Sequence, residues 1–243
     1  MATHIGAGYG SELHLMRYMA RYRQELDKAI LDKTGGNSIT WHDFKHGGTY
    51  DCSNPQEVQF PDNELTGINF LTETDYSNVV VAWKQFWPQR GNSMNWDAAG
   101  YTTVNNRNQY ILVEAKANTE EIKSNCEASS DESIELIDKA FSYTKNWLGI
   151  TSKNDWKKTY YQMANRLAMI HFLIYHDMPA KLVNIYFCGD KHQDLKKSSI
   201  CPANKDEWMD ALDAQYKYLG LTEAMRDKAG MVDLYIDVEK PIE

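Results

Sequence analysis

Three residues in the middle of the chain have the types and spacing to do chemistry. Glu114 and Lys116 lie two apart in the run Gln-Tyr-Ile-Leu-Val-Glu-Ala-Lys-Ala from Gln109 to Ala117, and Asp97 precedes them. Side chains of an extended segment alternate, so Leu112, Glu114 and Lys116 share one face while Ile111, Val113 and Ala115 share the other. Both faces begin apolar, as in a central strand covered on both sides. Two opposite charges therefore sit at or near the core. Burying them costs roughly several kcal/mol unless they are paired or hold a metal.

A hairpin brings Asp97 to the same place. With Asn105-Asn106-Arg107-Asn108 as a four-residue loop, Val104 pairs with Gln109, Asp97 falls opposite Lys116, and Ala99 falls opposite Glu114. Directly opposed residues project to one face, so the three converge unless a bulge intervenes. Ala98, Ala99 and Gly100 leave room beside the carboxylates. Two carboxylates with open coordination positions suit Mg²⁺ or Mn²⁺, with water and a phosphate completing the shell. The backbone carbonyl of Ala115 is a further candidate ligand. Such a cation lowers the pKa of bound water and stabilises charge at phosphorus. Lys116 would orient or activate the attacking water, or stabilise the developing charge. The plain alternative, a structural Glu114–Lys116 ion pair, leaves Asp97 unexplained.

The elements that must position these residues follow from patterning. Residues 9–32 predict one helix with Ser11 as N-cap, closed by Gly35-Gly36, and residues 33–75 form an irregular insertion. Strands are expected at Asn78–Phe86, Asp97–Val104, Gln109–Ala117, Ala180–Cys188 and Met231–Val238, on β-branched and aromatic content. Helices are expected at Ser133–Trp147, Asp155–Tyr175 and Asp206–Leu219. No repeat or low-complexity segment divides residues 1–243, so a single α/β domain is expected, with a mixed central β-sheet flanked by α-helices.

Composition bounds the rest. The 243 residues are 42% hydrophobic and 25% charged, ordinary for a globular domain. The formal charge of −8 argues against a protein that coats nucleic acid, though not against an enzyme that touches few phosphates. No apolar run reaches the length of a membrane span, and the N-terminal residues lack a secretory signal pattern. Cys52, Cys126, Cys188 and Cys201 form no C-x-x-C pair and are expected to be free thiols in a reducing cytoplasm.

Asn95-Trp96-Asp97, a hairpin, then Val113-Glu114-Ala115-Lys116 resembles the PD-(D/E)xK, or restriction-endonuclease-like, nuclease superfamily, with Trp96 where that motif has proline. The resemblance covers roughly residues 9–20 and 77–190, by pattern rather than by close sequence. It implies an αβββαβ core and Mg²⁺-dependent hydrolysis of phosphodiester bonds in DNA, with Asp97, Glu114 and Ala115 as ligands. It also implies a nucleic-acid partner, no membrane, and leaves a homodimer open. It offers Glu12 on the first helix as an added site acid, with Glu25 and Glu64 as weaker candidates. Gln162 is offered on the helix after the strand pair, although Arg166 stands where a tyrosine usually follows. A first-turn acid serving the helix dipole explains Glu12 equally well, and a surface or capping role explains Gln162 better. Arg166 is either a phosphate contact or a salt-bridge partner. A fold that has lost its activity, or an enzyme of small phosphorylated molecules, are the competing functions.

Other candidates read more plainly. His42-Asp43 with His46 has metal-like spacing but sits in a glycine-rich loop, where a solvated cluster is expected. His171 and His176 read as structural or exposed, and Asp233 and Asp237 as solvent-facing. Trp87 in Trp87-Pro88-Gln89-Arg90-Gly91 reads as a buried anchor, with strand stacking and phosphate contact as the functional alternative. Arg17, Arg21, Arg23 and Lys28 read as a solvated basic face.

Overall fold

The computed structural model describes residues 10–42, 65–89, 94–190 and 201–239. In chain order the elements are α1 (Ser11–Arg21), α2 (Arg23–Thr34), β1 (Thr40–Trp41), β2 (Leu65–Thr66), α3 (Glu73–Phe86), β3 (Asn95–Trp96), β4 (Ala98–Val104), β5 (Arg107–Lys116), α4 (Asp131–Leu148), α5 (Tyr161–Tyr175), β6 (Ala180–Cys188), α6 (Lys205–Leu219), α7 (Glu223–Lys228) and β7 (Met231–Asp237). A mixed sheet runs β1-β4-β5-β6-β7, and β2 pairs with β3 separately. The β1-β4-β5 part is antiparallel and the β5-β6-β7 part parallel. β5 is thus central, as its two apolar faces require.

Alternation along β5 sorts the core into two layers. Ile111, Val113 and Ala115 join Val183, Ile185 and Phe187 of β6 beneath Leu15, Tyr18, Leu26 and Ile30 of α1 and α2. Leu112 joins Leu182 and Tyr186 on the opposite face, against α3, α4, α5 and α6. Among the described residues, no helix is long and apolar enough to cross a membrane, and Cys126 and Cys188 are free thiols.

Three expectations need correction. The first helix is two: Tyr22, at φ −120 and ψ 34, breaks it, and Gly10 rather than Ser11 stands at the N-cap. Asn78–Phe86 is not a strand but the body of α3. Its Val79-Val80-Val81 run favours a strand locally, yet Val79 and Trp83 are buried one turn apart while Val81 is 67% exposed. Thr72 accepts a hydrogen bond from the Asp75 amide and caps the helix, with Glu73 and Asp75 in its first turn. The β4–β5 hairpin closes with two residues, not four. Asn105 and Asn106 both take positive φ (51 and 61), and Val104 pairs with Arg107, the conformation a two-residue hairpin turn demands. This slides the pairing by two residues, so Ala99 faces Leu112 instead of Glu114. Since the side-chain period is also two, every residue keeps its face.

In the helical layer, His171 of α5 stacks on Trp147 of α4 at 5.0 Å. Thr144 Oγ1 donates to the Ala140 carbonyl, so its 3.2 Å contact with His171 Nδ1 needs the proton on that nitrogen. Burial, with a smaller contribution from the Lys228 charge, brings the His171 pKa down from 6.5 to about 4. The folded imidazole stays neutral while the unfolded one protonates below about 6.5. Its contribution is therefore complete above pH 6.5 and is lost as pH falls towards 4.

Two outcomes follow from this architecture. Replacing Thr72 by Ala lowers unfolding free energy in urea by about 1 kcal/mol, the typical worth of an N-cap; no change would count against the cap. Wild-type protein loses stability between pH 6.5 and 4, and His171→Phe flattens that part of the urea-midpoint profile. An equally steep profile in the variant would show that His171 is not the responsible group.

Candidate functional site

The site is built where β5 ends. Glu114 is only 4% exposed, and it sits on the helix-covered face that Leu112 shares. Lys116 Nζ donates to its Oε1. Arg166 Nε of α5 donates to its Oε2 at 2.8 Å, and Arg166 Nη2 lies 2.7 Å from the same oxygen in an ion pair. Arg166 is itself fixed. Nη1 donates to Asn165 Oδ1 at 2.9 Å, Nη2 also donates to the Asn95 carbonyl, and the guanidinium lies over the Trp96 ring at 4.7 Å. A buried carboxylate with both oxygens met by cations avoids the cost of an uncompensated charge.

Asp97 reaches this cluster by an irregularity. Its amide donates to the Val113 carbonyl, although Ala98 is the residue that faces Val113. Two residues are thus set against one, as in a β-bulge. Trp96 packs with the helix-side core and Ala98 with the opposite layer, so strict alternation breaks at Asp97. The bulge does not remove Asp97 from the site. Its Oδ2 accepts the Ala115 amide at 2.7 Å, standing in for a ladder carbonyl. In an extended strand a residue's N–H and C=O leave the same edge, so Ala115 also presents its carbonyl on the Asp97 side.

The charges are strongly coupled. Burial first, then the neighbouring Glu114, pushes the Asp97 pKa up to about 7 against the pull of Lys116, the Ala115 amide and Arg166. Burial alone would raise Glu114 as well, but the Arg166 and Lys116 charges outweigh it and hold that carboxyl below its usual range. Lys116 is held above the usual lysine range, because the charges of Glu114 and Asp97 outweigh the opposing effect of burial. The oxygens of Asp97, Glu114 and Ala115 are hard donors, the chemical type that Mg²⁺ or Mn²⁺ takes. Among the described residues, no group of three or more His, Cys, Asp or Glu is placed to hold a metal, so water and substrate would have to complete a shell here.

A small cavity of about 10 Å³, the space of one water molecule, adjoins the cluster. Glu114, Lys116, Gln162, Arg166, Asn184 and Gln215 are among its walls. Gln162, for which a surface or capping role is the stronger expectation, is one of the residues lining this cavity. Glu12 is not on the core-facing side: it is exposed in the first turn of α1, and His14, Leu15, Tyr18 and Met19 form the buried face. Glu25 lies in the first turn of α2, and Glu64 falls outside the described residues, as do Asp43, His46, Arg90 and Gly91. Trp87 is a buried anchor stacked on Trp83.

Asp233 corrects the solvent-facing expectation for β7, since it accepts from Asn184 Nδ2 at 2.8 Å and from the Tyr216 hydroxyl at 2.9 Å. Asn184 and Gln215 escaped the sequence reading. Asn184 carried a usable signal, a polar residue inside the apolar strand Leu182–Cys188 directly beside Glu114 in the β5–β6 register. Gln215 carried none, because its place depends on how α6 packs.

The cluster makes a quantitative demand. Glu114→Gln and Arg166→Met should each cost about 3–5 kcal/mol, because each leaves the other partner's charge buried and unpaired. The double variant should cost clearly less than the sum, measured by urea denaturation at pH 7. Strictly additive losses would show that the two side chains act independently. Comparison of the chain with protein-family models, with curated proteins and with solved structures returned no match.

Proposed function

We propose that the chain is a metal-dependent nuclease that hydrolyses phosphodiester bonds in DNA, on a restriction-endonuclease-like core centred on β4, β5 and β6. One observation carries the reading. Asp97, Glu114 and Lys116 meet at the end of β5, with the Asp97 carboxylate bound to the amide that separates the other two. Asp97, Glu114 and the Ala115 carbonyl would hold Mg²⁺ or Mn²⁺. The bound cation supplies charge stabilisation at phosphorus and a more acidic water. Lys116 contributes an ammonium donor beside the reacting phosphate, where charge develops as water attacks in line. Arg166 keeps Glu114 ionised and oriented, and Gln162 lines the approach. The net charge of −8 fits an enzyme that engages few phosphates rather than a long basic groove.

A second reading is favoured by a specific contact. Both oxygens of Glu114 are engaged, one by Lys116 and one by Arg166, which suits a nuclease-like fold that binds a partner without cutting. Two measurements separate the readings. Titration calorimetry with Mn²⁺ gives binding for the nuclease and none for the inactive relative. Cleavage of DNA by purified protein in Mg²⁺ falls by at least about 100-fold in Asp97→Ala and in Lys116→Ala, the scale of a lost electrostatic contact to a transition state. Unchanged cleavage in both variants would sink the proposal.

A further inference from the structure

Two of the residues that line the cavity beside Lys116 each carry an oxygen that the folded chain leaves unused. Asn184 and Gln215 are each 1% exposed. Asn184 Nδ2 donates to Asp233 Oδ1 and Gln215 Nε2 donates to the Ile122 carbonyl at 3.4 Å, which fixes which end of each amide is the oxygen. Asn184 Oδ1 and Gln215 Oε1 have no hydrogen-bond partner among the described residues. Both residues line the same water-sized cavity as Lys116 and Glu114. Buried acceptors without a donor are unfavourable, so their retention in one small pocket asks for a donor that arrives in another state.

Lys116 is that donor. A divalent cation on Glu114 would repel the ammonium and guanidinium that now share its oxygens. Arg166 is held by Asn165, Asn95 and the Trp96 ring besides Glu114, whereas Lys116 is joined to Glu114 through one flexible side chain. Lys116 is therefore the partner that moves. Its side chain is only 13% exposed, and an ammonium leaving a carboxylate in such a place needs other acceptors. We propose that Asn184 and Gln215 are positioning residues that receive the Lys116 ammonium, directly or through the one water the cavity admits, when a divalent cation occupies Glu114. The pair frees Glu114 for the metal and keeps Lys116 pointed at the site. This rests on the nuclease reading, since it needs the cation.

The test uses the full chain and Mn²⁺ alone. Gln215→Met, close to isosteric and without the acceptor, weakens Mn²⁺ binding in calorimetry by about 10-fold, the range for partners that orient a ligand set. Gln215→Glu, which keeps an oxygen there, binds Mn²⁺ at least as well as wild type. Metal-free Gln215→Met still unfolds cooperatively and melts close to wild type, because the hydrogen bond it loses to the Ile122 carbonyl is long (3.4 Å) and is offset by removal of an unsatisfied oxygen. In crystals of the wild-type protein soaked with Mn²⁺, Lys116 Nζ has left Glu114 and lies within hydrogen-bond reach of Gln215 Oε1, Asn184 Oδ1 or a water bound to them. Equal Mn²⁺ affinity in Gln215→Met and wild type, or Lys116 still on Glu114 beside a bound Mn²⁺, overturns the inference while leaving the nuclease reading intact. Failure of the wild-type protein to bind Mn²⁺ overturns both.

Discussion

A carboxylate on the central strand of a covered sheet has to be answered by positive charge, and at Glu114 that answer organises the molecule. Lys116 supplies half of it from the same strand. Arg166 supplies the other half from α5, and in doing so ties α5 to β5, to the Asn95 carbonyl of β3 and to the Trp96 ring. Helix, central strand and the entry to β4 are thus joined through one guanidinium. Buried ion clusters of this kind are seldom more stable than well-packed apolar residues of the same volume. On that energetics the cluster adds little net stability over an apolar core, which is in keeping with the site role proposed for it.

What could be read in advance was what local pattern determines. β5 declared itself by unbroken apolar character on both faces, and its alternation placed Glu114 and Lys116 together. The α4 helix, expected at Ser133–Trp147, runs from Asp131 to Leu148 and is closed by Gly149 in the left-handed region (φ 81). Failures came where a stronger principle overrode a local one. Val79-Val80-Val81 favours a strand, but the spacing of Tyr76, Val79, Val80, Trp83 and Phe86 and the Thr72 cap make it a helix. Glu12 was offered by its place on the first helix, but it shares an exposed side with Met16, 39% exposed; the face of α1 that meets the sheet is set by His14, Leu15, Tyr18 and Met19. Asp233 and Gln215 could not be placed at all from one chain segment, because their partners come from separate elements that only tertiary packing brings together.

The site also illustrates how irregularity serves position. A regular β4 would have carried Trp96 to the opposite layer of the sheet. The break at Asp97 returns Trp96 to the helix side, where it lies beneath Arg166, and leaves the Asp97 carboxylate to take the Ala115 amide that the ladder would otherwise have bonded. Local disorder of the ladder is thereby converted into a fixed orientation for an acid, supported on a rigid strand rather than on a loop.

The short turn at Asn105 and Asn106 has a consequence for how such a chain can vary. Strand pairing has a parity: sliding β4 along β5 by two residues moves Ala99 from its place opposite Leu112 to one opposite Glu114 without turning it to the other layer. Hairpins that lengthen or shorten in pairs of residues therefore preserve the acid's side of the sheet, while a single inserted residue reverses it unless a second irregularity compensates. Related chains are free to differ at the tip of this hairpin by even steps, and an odd step should come with a bulge elsewhere in β4 or β5.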